Sequence, residues 1–245
     1  MIVIAVIGQK GGTGKTTVAL GLAVAALKAG MAPAVLDLDP QANAWNWKKR
    51  RGMQIDPAVK ATSPGALMDD IETLRSVGAD IVFIDTPGRS ESAGLQAARA
   101  ANLVLIPVQQ SIFDMETLKA VRDDILGLAG NPKALVVLNR VHPSGRKAAE
   151  ETRATIAQVY GLPVAGTHIS NRAAYVDSAV SGQAPQELDE EGKAAAELSA
   201  LFDELRNCIR PPSVVPPPFD TVETEMKELM TSLRVDKSTR KVSNG

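Results

Sequence analysis

The sequence is poor in cysteine and carries no excess charge of either sign. Its one cysteine, Cys208, excludes an internal disulfide and cannot by itself ligate a metal cluster, which suits a reducing cytoplasm. Basic and acidic side chains number 27 and 28, which leaves a formal net charge of -1. Any contact with nucleic acid must therefore come from a local basic patch and not from the overall charge.

Long apolar runs are also missing. No uncharged apolar stretch reaches the roughly 18 residues that a membrane-spanning helix needs. Residues 1–8 are apolar, but they are too few for a signal peptide and lead directly into a glycine-rich loop. The sequence thus predicts a soluble, cytoplasmic protein without a targeting segment.

Aromatic residues make up only 3% of the chain, so its 44% of hydrophobic residues are mostly Ala, Val, Ile and Leu. This mixture is typical of a parallel sheet that helices bury on both faces. Short apolar runs predict strands at residues 2–7, 34–38, 81–84, 103–108, 134–138 and 163–165. Stretches with helical spacing alternate with them at residues 16–29, 65–77, 90–100, 114–128 and 146–160, and further helices are predicted at 173–180 and 189–208. Alternation of this kind predicts an α/β fold with a doubly wound, mostly parallel sheet in residues 1–210.

The composition changes sharply after residue 210. Residues 211–219 are rich in proline and predict an extended, semi-rigid linker. In residues 220–236, one apolar stripe at helical spacing predicts an amphipathic helix; it consists of Val222, Met226, Leu229 and Leu233. Residues 237–245 are polar and mildly basic, which predicts a disordered tail.

The loop at residues 9–17 lies between the first predicted strand and the first predicted helix, which is the context that a P-loop requires. Its glycines allow backbone N–H groups to approach phosphate, and the start of the helix adds a partial positive charge. We expect Lys15 to lie between the β- and γ-phosphates and the Thr16 hydroxyl to coordinate Mg²⁺. The predicted phosphate-binding residues are Gly11, Gly12, Thr13, Gly14, Lys15, Thr16 and Thr17.

Three aspartates lie at the ends of predicted strands. Asp85 follows residues 81–84, where a carboxylate can hold Mg²⁺ through water. Asp37 and Asp39 are two residues apart near the end of another strand, so both can point towards the metal and the γ-phosphate. One such aspartate alone would more often be a turn or cap residue. Beside a P-loop, the three predict a magnesium site whose ligands are Thr16, Asp37 and Asp85.

The loop departs from the common P-loop pattern at two positions. Gln9 replaces the usual first glycine, and a second lysine, Lys10, precedes the glycine pair. This resembles the deviant Walker A box of the ParA/MinD family of P-loop ATPases. Residues 37–41 look like the switch I of that family, and residues 85–88 look like its Walker B and switch II.

Two later segments are similar to the same family. Asn139 and Arg140 resemble its adenine-contacting pair, and residues 173–185 resemble its late helix-turn segment. The resemblance implies ATP or ADP with Mg²⁺ as ligands and a homodimer in the ATP state, in which Lys10 reaches the partner's nucleotide. It also implies that Asp39 positions or activates the attacking water and that hydrolysis is slow. Lys10, Lys15 and Asp39 are thus the expected catalytic residues.

Several branches of the family are excluded by what the chain lacks. One cysteine cannot hold the iron–sulfur cluster of some members, and Tyr160 and Tyr175 do not form the tyrosine cluster of the related kinases. The polar face of the predicted helix at 220–236 is mainly acidic, which argues against stable membrane binding. The first strand begins near residue 2, so the chain resembles small ParA proteins without an N-terminal DNA-binding domain.

The resemblance implies an ATPase that binds DNA non-specifically on the nucleoid and is stimulated by a ParB-like adaptor bound to its cargo. Partition of plasmid or chromosomal DNA is the leading hypothesis. The same ATPase acting on a protein cargo, such as a carboxysome or chemoreceptor cluster, is an alternative. A MinD-like membrane-surface ATPase and a regulatory module that binds ATP without cycling are further alternatives. The candidate DNA-binding residues are Lys48, Lys49, Arg50, Arg51, Arg140, Arg146, Lys147 and Arg172, although the run at 48–51 fits a solvated helix end equally well.

Overall fold

A six-stranded sheet forms the centre of the computed structural model, which describes residues 1–52 and 56–209. All its strand pairs are parallel, and the strand order is β3-β2-β4-β1-β5-β6. The strands are β1 (Ile2–Val6), β2 (Pro33–Asp37), β3 (Ala58–Ala61), β4 (Ile81–Asp85), β5 (Leu103–Val108) and β6 (Ala134–Leu138). The predicted doubly wound α/β fold is confirmed. The predicted linker, helix and tail at 211–219, 220–236 and 237–245 lie outside the described residues.

Helices cover both faces of the sheet. The larger ones are α1 (Lys15–Lys28), α2 (Asn43–Arg50), α3 (Leu67–Ser76), α4 (Glu91–Ala100), α7 (Arg146–Thr155) and α10 (Lys193–Ile209). The shorter ones are α5 (Ile112–Met115), α6 (Thr117–Ala120), α8 (Ala174–Val180) and α9 (Pro185–Leu188). Within the described ranges, no helix combines the length and the apolar character needed to cross a membrane.

Side chains alternate along each strand between two apolar layers. Val35 and Phe83 face the layer that contains α1 and α10, whereas Leu36 and Ile84 face the layer that contains α3, α4 and α6. The central strands are buried on both faces, which explains why their sequences are continuous apolar runs. The carboxyl ends of these strands lie at one edge of the sheet, where α/β proteins bind their ligands.

Two strand assignments differ from the predictions. Residues 163–165 do not form a strand; they make one isolated parallel bridge, between Val164 and Val136 of β6. The missed strand, β3, lies at the edge of the sheet, and only Val59 among its four residues is buried. An edge strand needs no continuous apolar run, so the sequence held no signal for it.

The helix boundaries also differ in places. The predicted helix at 114–128 begins two residues earlier and continues from α6 into a π-helix at Val121–Leu126. The helix at 146–160 likewise changes from α7 to a π-helix, Ile156–Tyr160, and stops at Gly161, whose φ of 66° ends it. The last helix begins at Lys193 rather than at residue 189. Helices α2 and α9 were not predicted.

Candidate nucleotide-binding site

The loop between β1 and α1 has the backbone of a phosphate cradle. Gly12 and Gly14 adopt φ values of 81° and 89°, a conformation that side chains disfavour. A Cβ on Gly11 or Gly12 would meet no atom within 4 Å, so the backbone there is open to a ligand. A Cβ on Gly14, in contrast, would lie 2.1 Å from Nδ2 of Asn139. Glycine at positions 11 and 12 therefore lets a ligand approach the backbone, and glycine at position 14 leaves room for Asn139.

Asn139 supports this loop from behind. Its Nδ2 donates a hydrogen bond of 2.6 Å to the carbonyl oxygen of Thr13, and its Oδ1 accepts one of 2.9 Å from the N–H of Arg140. Asn139 is buried, whereas Arg140 is exposed and lines the adjoining cleft. Of the predicted adenine-contacting pair, Asn139 thus supports the loop, whereas Arg140 faces the cleft.

Lys15 is buried inside the loop, with 7% of its surface exposed. Its Nζ donates a hydrogen bond of 3.1 Å to the carbonyl oxygen of Lys10 on the opposite side of the loop. Burial lowers the pKa of Lys15, while the charges of Asp85 and Asp39 oppose that shift. A buried ammonium with one neutral partner leaves two donor positions for an anion.

Asp85 is fully buried at the carboxyl end of β4. Neither of its carboxylate oxygens has a hydrogen-bond partner among the described residues. Burial raises the pKa of Asp85 to about 7; the Thr16 hydroxyl opposes the rise without reaching hydrogen-bond geometry, and Asp37 adds to it. An unpaired buried carboxylate is costly to hold in the charged form, so this position favours a bound cation.

Asp37 is the cross-strand neighbour of Asp85 in the register of β2 and β4. It accepts hydrogen bonds from the N–H groups of Asp39, at 3.1 Å, and Trp45, at 3.0 Å. Burial raises the pKa of Asp37, and these backbone hydrogen bonds oppose the rise. Asp39 itself is half-buried and lines the cleft. The structure therefore brings the three predicted aspartates to one edge of the sheet, next to the loop.

The residues at this edge fit Mg²⁺, which prefers oxygen ligands and keeps water or phosphate oxygens in its coordination sphere. The unpartnered oxygens of Asp85 lie near the Thr16 hydroxyl, and Asp37 adds a second carboxylate. In the described part of the chain, no group of three His, Cys, Asp or Glu residues could hold a metal without help from other ligands. A cation here would thus also need the Thr16 hydroxyl, phosphate or water.

A cleft of about 430 Å³ extends from the loop between α1, α2 and α8. Besides the predicted loop residues and Asp39, it is lined by residues that the sequence did not single out as ligand contacts. The principal ones are Leu20, Gly21, Asn43, Trp47, Arg50, Ser178, Gln183 and Ala184. Together they extend the phosphate cradle into a cleft with apolar walls, suited to the rest of a nucleotide.

Lys10 forms an ion pair within its own chain. Its Nζ lies 2.5 Å from Oδ1 of Asp114 in α5, although the angle is not that of a hydrogen bond. The Lys10 side chain is 45% exposed, whereas Asp114 is 1% exposed. Asp114 lies far from Lys10 in the sequence, and no sequence motif indicated it as a partner of Lys10. The predicted contact of Lys10 with a partner's nucleotide stays a prediction, and it would require this pair to separate.

The candidate DNA-binding residues fall into two groups. For Arg51, which is 8% exposed, the prediction of a DNA contact is wrong, because its guanidinium is bonded to Gly182 and Glu187. Arg172 is committed in the same way to Glu197, at 2.7 Å. Lys48 belongs with them, because it is half-buried and its Nζ donates to the carbonyl oxygen of Pro57 at 3.0 Å. The exposed group contains Arg146 and Lys147, whose side chains are 87% and 92% exposed and pair with Glu150 and Glu151 on α7, together with Lys49, Arg50 and Arg140.

Comparisons with known proteins agree with this site. Residues 4–185 match the model of the CobQ/CobB/MinD/ParA nucleotide binding domain. The chain is 34% identical over 205 residues to a "Maintenance of carboxysome distribution protein A" of Gloeobacter kilaueensis, covering 82% of this chain and 90% of that protein. It is 29% identical over 204 residues to the "Chromosome-partitioning ATPase Soj" of Thermus thermophilus, covering 68% of this chain and 80% of that protein.

A solved structure shows the same fold. The septum site-determining protein MinD of Pyrococcus horikoshii, in complex with Mg-ADP, superposes with a TM-score of 0.67 at 18% identity, over 84% of this chain and 96% of that chain. The match of the family model spans the phosphate loop, the three aspartates and the segment that closes the cleft. The chain belongs to the ParA/MinD family of nucleotide-binding ATPases.

Proposed function

We propose that this protein is a magnesium-dependent ATPase that positions an intracellular cargo. The observation that carries the proposal is the uncompensated charge at the loop: Lys15 has one neutral partner, and buried Asp85 has none among the described residues. Phosphate would supply the missing acceptor for Lys15, and a cation would supply the missing charge for Asp85. Mg-nucleotide therefore satisfies both ends of the site at once.

The residues of the cleft would have separate roles in binding phosphate, holding Mg²⁺ and activating water. The N–H groups of the loop and Lys15 would bind the β- and γ-phosphates, and Thr16 with Asp37 and Asp85 would hold Mg²⁺ directly or through water. Bound Mg²⁺ supplies charge neutralisation for the phosphates. Asp39 faces the cleft and would orient the attacking water and accept its proton. A carboxylate is a weak base, so turnover would be slow.

A second subunit would complete this site. Lys10 would leave Asp114 and cross to the nucleotide of the partner, where its charge would act as an arginine finger does in other ATPases. ATP would thus favour a homodimer, and hydrolysis would release it. A cargo-bound adaptor would act by stimulating hydrolysis.

We infer a protein assembly as the first candidate for the cargo. The relative at 34% identity is named for maintaining carboxysome distribution, and it matches along most of both chains. The cargo would be a large particle that the ATPase distributes over the nucleoid through non-specific DNA binding.

DNA is the second candidate cargo. It is supported by the relative at 29% identity, which is named as a chromosome-partitioning ATPase. Either cargo requires a DNA-binding surface, and among the candidate residues Arg146 and Lys147 are an adjacent pair with highly exposed side chains. Their contacts with phosphates would make binding dependent on salt.

Co-sedimentation tests the proposal. The purified protein would be mixed with random-sequence DNA or with anionic vesicles, each with Mg-ATP, Mg-ADP or EDTA, and phosphate release would be measured in parallel. We expect hydrolysis that needs Mg²⁺ and retention on DNA with ATP only. A double substitution, Arg146→Glu with Lys147→Glu, should weaken DNA retention, whereas Arg75→Glu on α3 should not. Retention on vesicles but not on DNA would overturn the nucleoid mechanism.

A cellular experiment distinguishes the two cargoes. Deleting the gene would cluster a protein particle if the first candidate is correct. It would produce daughter cells that lack the replicon if the second is correct. A fluorescent fusion would follow the nucleoid in either case.

A further inference from the structure

The C-terminal end of α2 is bonded to the chain segment at 172–187, which contains α8. The indole N–H of Trp47 donates to the carbonyl oxygen of Gln183 at 3.0 Å, and Nε of Arg50 donates to that of Ala179 at 3.0 Å. Nη1 of Arg51 donates to the carbonyl oxygen of Gly182, also at 3.0 Å. We call these bonds, with the Arg51–Glu187 ion pair, the clasp. Its members are Trp47, Arg50 and Arg51 on one side and Ala179, Gly182, Gln183 and Glu187 on the other.

Arg51 is the centre of the clasp. Its guanidinium binds both carboxylate oxygens of Glu187, at 2.7 and 2.5 Å, and lies 4.9 Å from the centre of the Trp47 ring. A Cβ on Gly182 would come within 2.4 Å of the backbone nitrogen of Arg51, so the two backbones are in direct contact. This bidentate, stacked geometry is specific to arginine, because lysine offers neither the fork nor the plane.

The partner side of the clasp is anchored independently of Arg51. Gln186 is buried and its Nε2 donates to the carbonyl oxygen of Gly21 in α1, at 2.8 Å. At the start of the same segment, Arg172 pairs with Glu197 of α10 at 2.7 Å, and the Tyr175 hydroxyl donates to Glu197 at 3.2 Å. The segment at 172–187 is thus tied to α1 and α10.

The other end of α2 is tied to the reactive carboxylates. The N–H of Trp45, in the first turn of α2, donates to Asp37, which also accepts the N–H of Asp39. Helix α2 has only eight residues, and only Ala44 and Trp47 are buried. The position of α2 therefore depends on contacts at its two ends, with Asp37 at the N-terminal end and with the clasp at the C-terminal end.

We propose that Arg51 is a positioning residue for ATP hydrolysis, a role that rests on the function proposed above. By holding α2 against a segment anchored to α1, Arg51 keeps the chain between Asp37 and α2, and with it Asp39, at a fixed distance from the loop that leads into α1. ADP has no γ-phosphate, so its binding relies on the phosphate loop and does not use Asp39. Loss of Arg51 therefore lowers turnover far more than it lowers affinity for ADP.

Arg51→Lys tests this role, because it keeps the charge and removes the fork. We expect kcat for ATP to fall ~10-fold, as for a small displacement of catalytic groups, while the Kd for ADP changes less than ~3-fold. Arg75→Lys is the matched control, because Arg75 pairs with Glu72 on an exposed face of α3. Near-UV circular dichroism and the melting temperature would verify that each variant is folded at the assay temperature.

A double variant covers the case in which Arg51→Lys does not fold. Arg51→Met with Glu187→Leu replaces the pair by apolar side chains, an exchange that proteins often accept, and it still removes the bond to Gly182. It should show the same loss of kcat. A folded variant of either kind with a kcat within ~2-fold of the wild type would overturn the role of Arg51, as would a parallel loss of ADP affinity. An inactive wild-type protein would instead refute the proposed function itself.

Discussion

At the phosphate end of the cleft, Lys15 and Asp85 have few hydrogen-bond partners, whereas Arg51 and Glu187 at the clasp have several. At the phosphate end, Lys15 has one neutral partner, and Asp85 has no hydrogen-bond partner within the described residues. At the clasp, Arg51 and Glu187 satisfy each other through two hydrogen bonds, and the same carboxylate also accepts the N–H of Ala184. Burial would raise the pKa of Glu187, but these partners hold it below its usual range.

This difference separates ligand-binding charges from structural ones. Burying a charge without a partner costs free energy, which a ligand can recover when it binds. A buried pair that is already complete has little left to offer a ligand, and its value lies in fixed geometry. Lys10 and Asp114 lie between these cases, since the two charges are paired without a hydrogen bond and Lys10 is half-exposed and able to leave.

The largest expected effect tests whether Lys10 is more than a structural partner of Asp114. Lys10→Ala should lower kcat ~1000-fold, as loss of an arginine finger does, while the Kd for ADP stays within ~3-fold of the wild type. Phosphate release and calorimetric titration with ADP would measure the two quantities. Lys28→Ala, at the far end of α1, is the control. Turnover near the wild-type value would assign Lys10 to the structural group.

The charge of Asp85 should make the nucleotide-free protein less stable as the pH rises. The unfolded chain releases this proton near pH 3.8 and the folded chain only at about 7. Stability contributed by the protonated folded form is thus lost between these values, up to about 4 kcal/mol as an upper bound. Urea unfolding at pH 5 and pH 8 would measure the part of this loss above pH 5, about 3 kcal/mol.

Asp85→Asn should remove this part of the pH dependence, while Asp69→Asn on the exposed face of α3 should leave it in place. Mg-ATP should stabilise the wild type more than Asp85→Asn at pH 8. If the wild type and Asp85→Asn lose stability equally between pH 5 and pH 8, Asp85 is not an uncompensated charge.

Lys15→Ala should lower affinity for ATP ~100-fold, about 2.8 kcal/mol, because it removes a buried charge from the phosphates. Lys28→Ala again serves as the control, and calorimetry gives both dissociation constants. Unchanged affinity in a folded Lys15→Ala variant would show that the phosphates bind elsewhere.

The smallest expected effect is a change in tryptophan fluorescence when nucleotide binds. Trp45 and Trp47 are the only tryptophans in the chain, so Trp45→Phe leaves Trp47 as the sole fluorophore. Trp47 is buried, lines the cleft and belongs to the clasp. Nucleotide should change its emission slightly without shifting it to that of an exposed indole. Adding Lys15→Ala should move the change to a ~100-fold higher ATP concentration, and a response at the original concentration would argue against binding at the loop.

The nucleotide end was largely predictable because its geometry follows from local sequence. The glycines of the loop at 9–17 and the start of the following helix are adjacent in the sequence, so the motif is visible without knowledge of distant residues. Asp37 and Asp85 were predictable for a related reason: parallel strands bring their carboxyl ends to one edge. The pairing of Asp114 with Lys10 was not predictable, because it depends on where α5 lies relative to the loop.

The basic run at 48–51 shows the limit of sequence reasoning most clearly. Its four residues carry the same charge, yet Lys49 lies over the exposed Trp45 ring while Arg51 is buried against Gly182 and Glu187, which are 131 and 136 positions later. A solvated helix end and a DNA contact were both open alternatives for this run, and the structure adds a third role for Arg51.

The α/β fold, the phosphate loop and the aspartates at the strand ends could be predicted from the amino-acid sequence, because apolar periodicity and glycine placement act over short distances. Which charges are compensated follows from the packing of the folded chain. Lys15 and Asp85 lie where the fold supplies few partners, whereas Arg51 meets Glu187 because the end of α2 packs against α8, which in turn packs against α9. Whether a charge binds a ligand or holds the fold depends on its neighbours in space, and those are set only when the chain has folded.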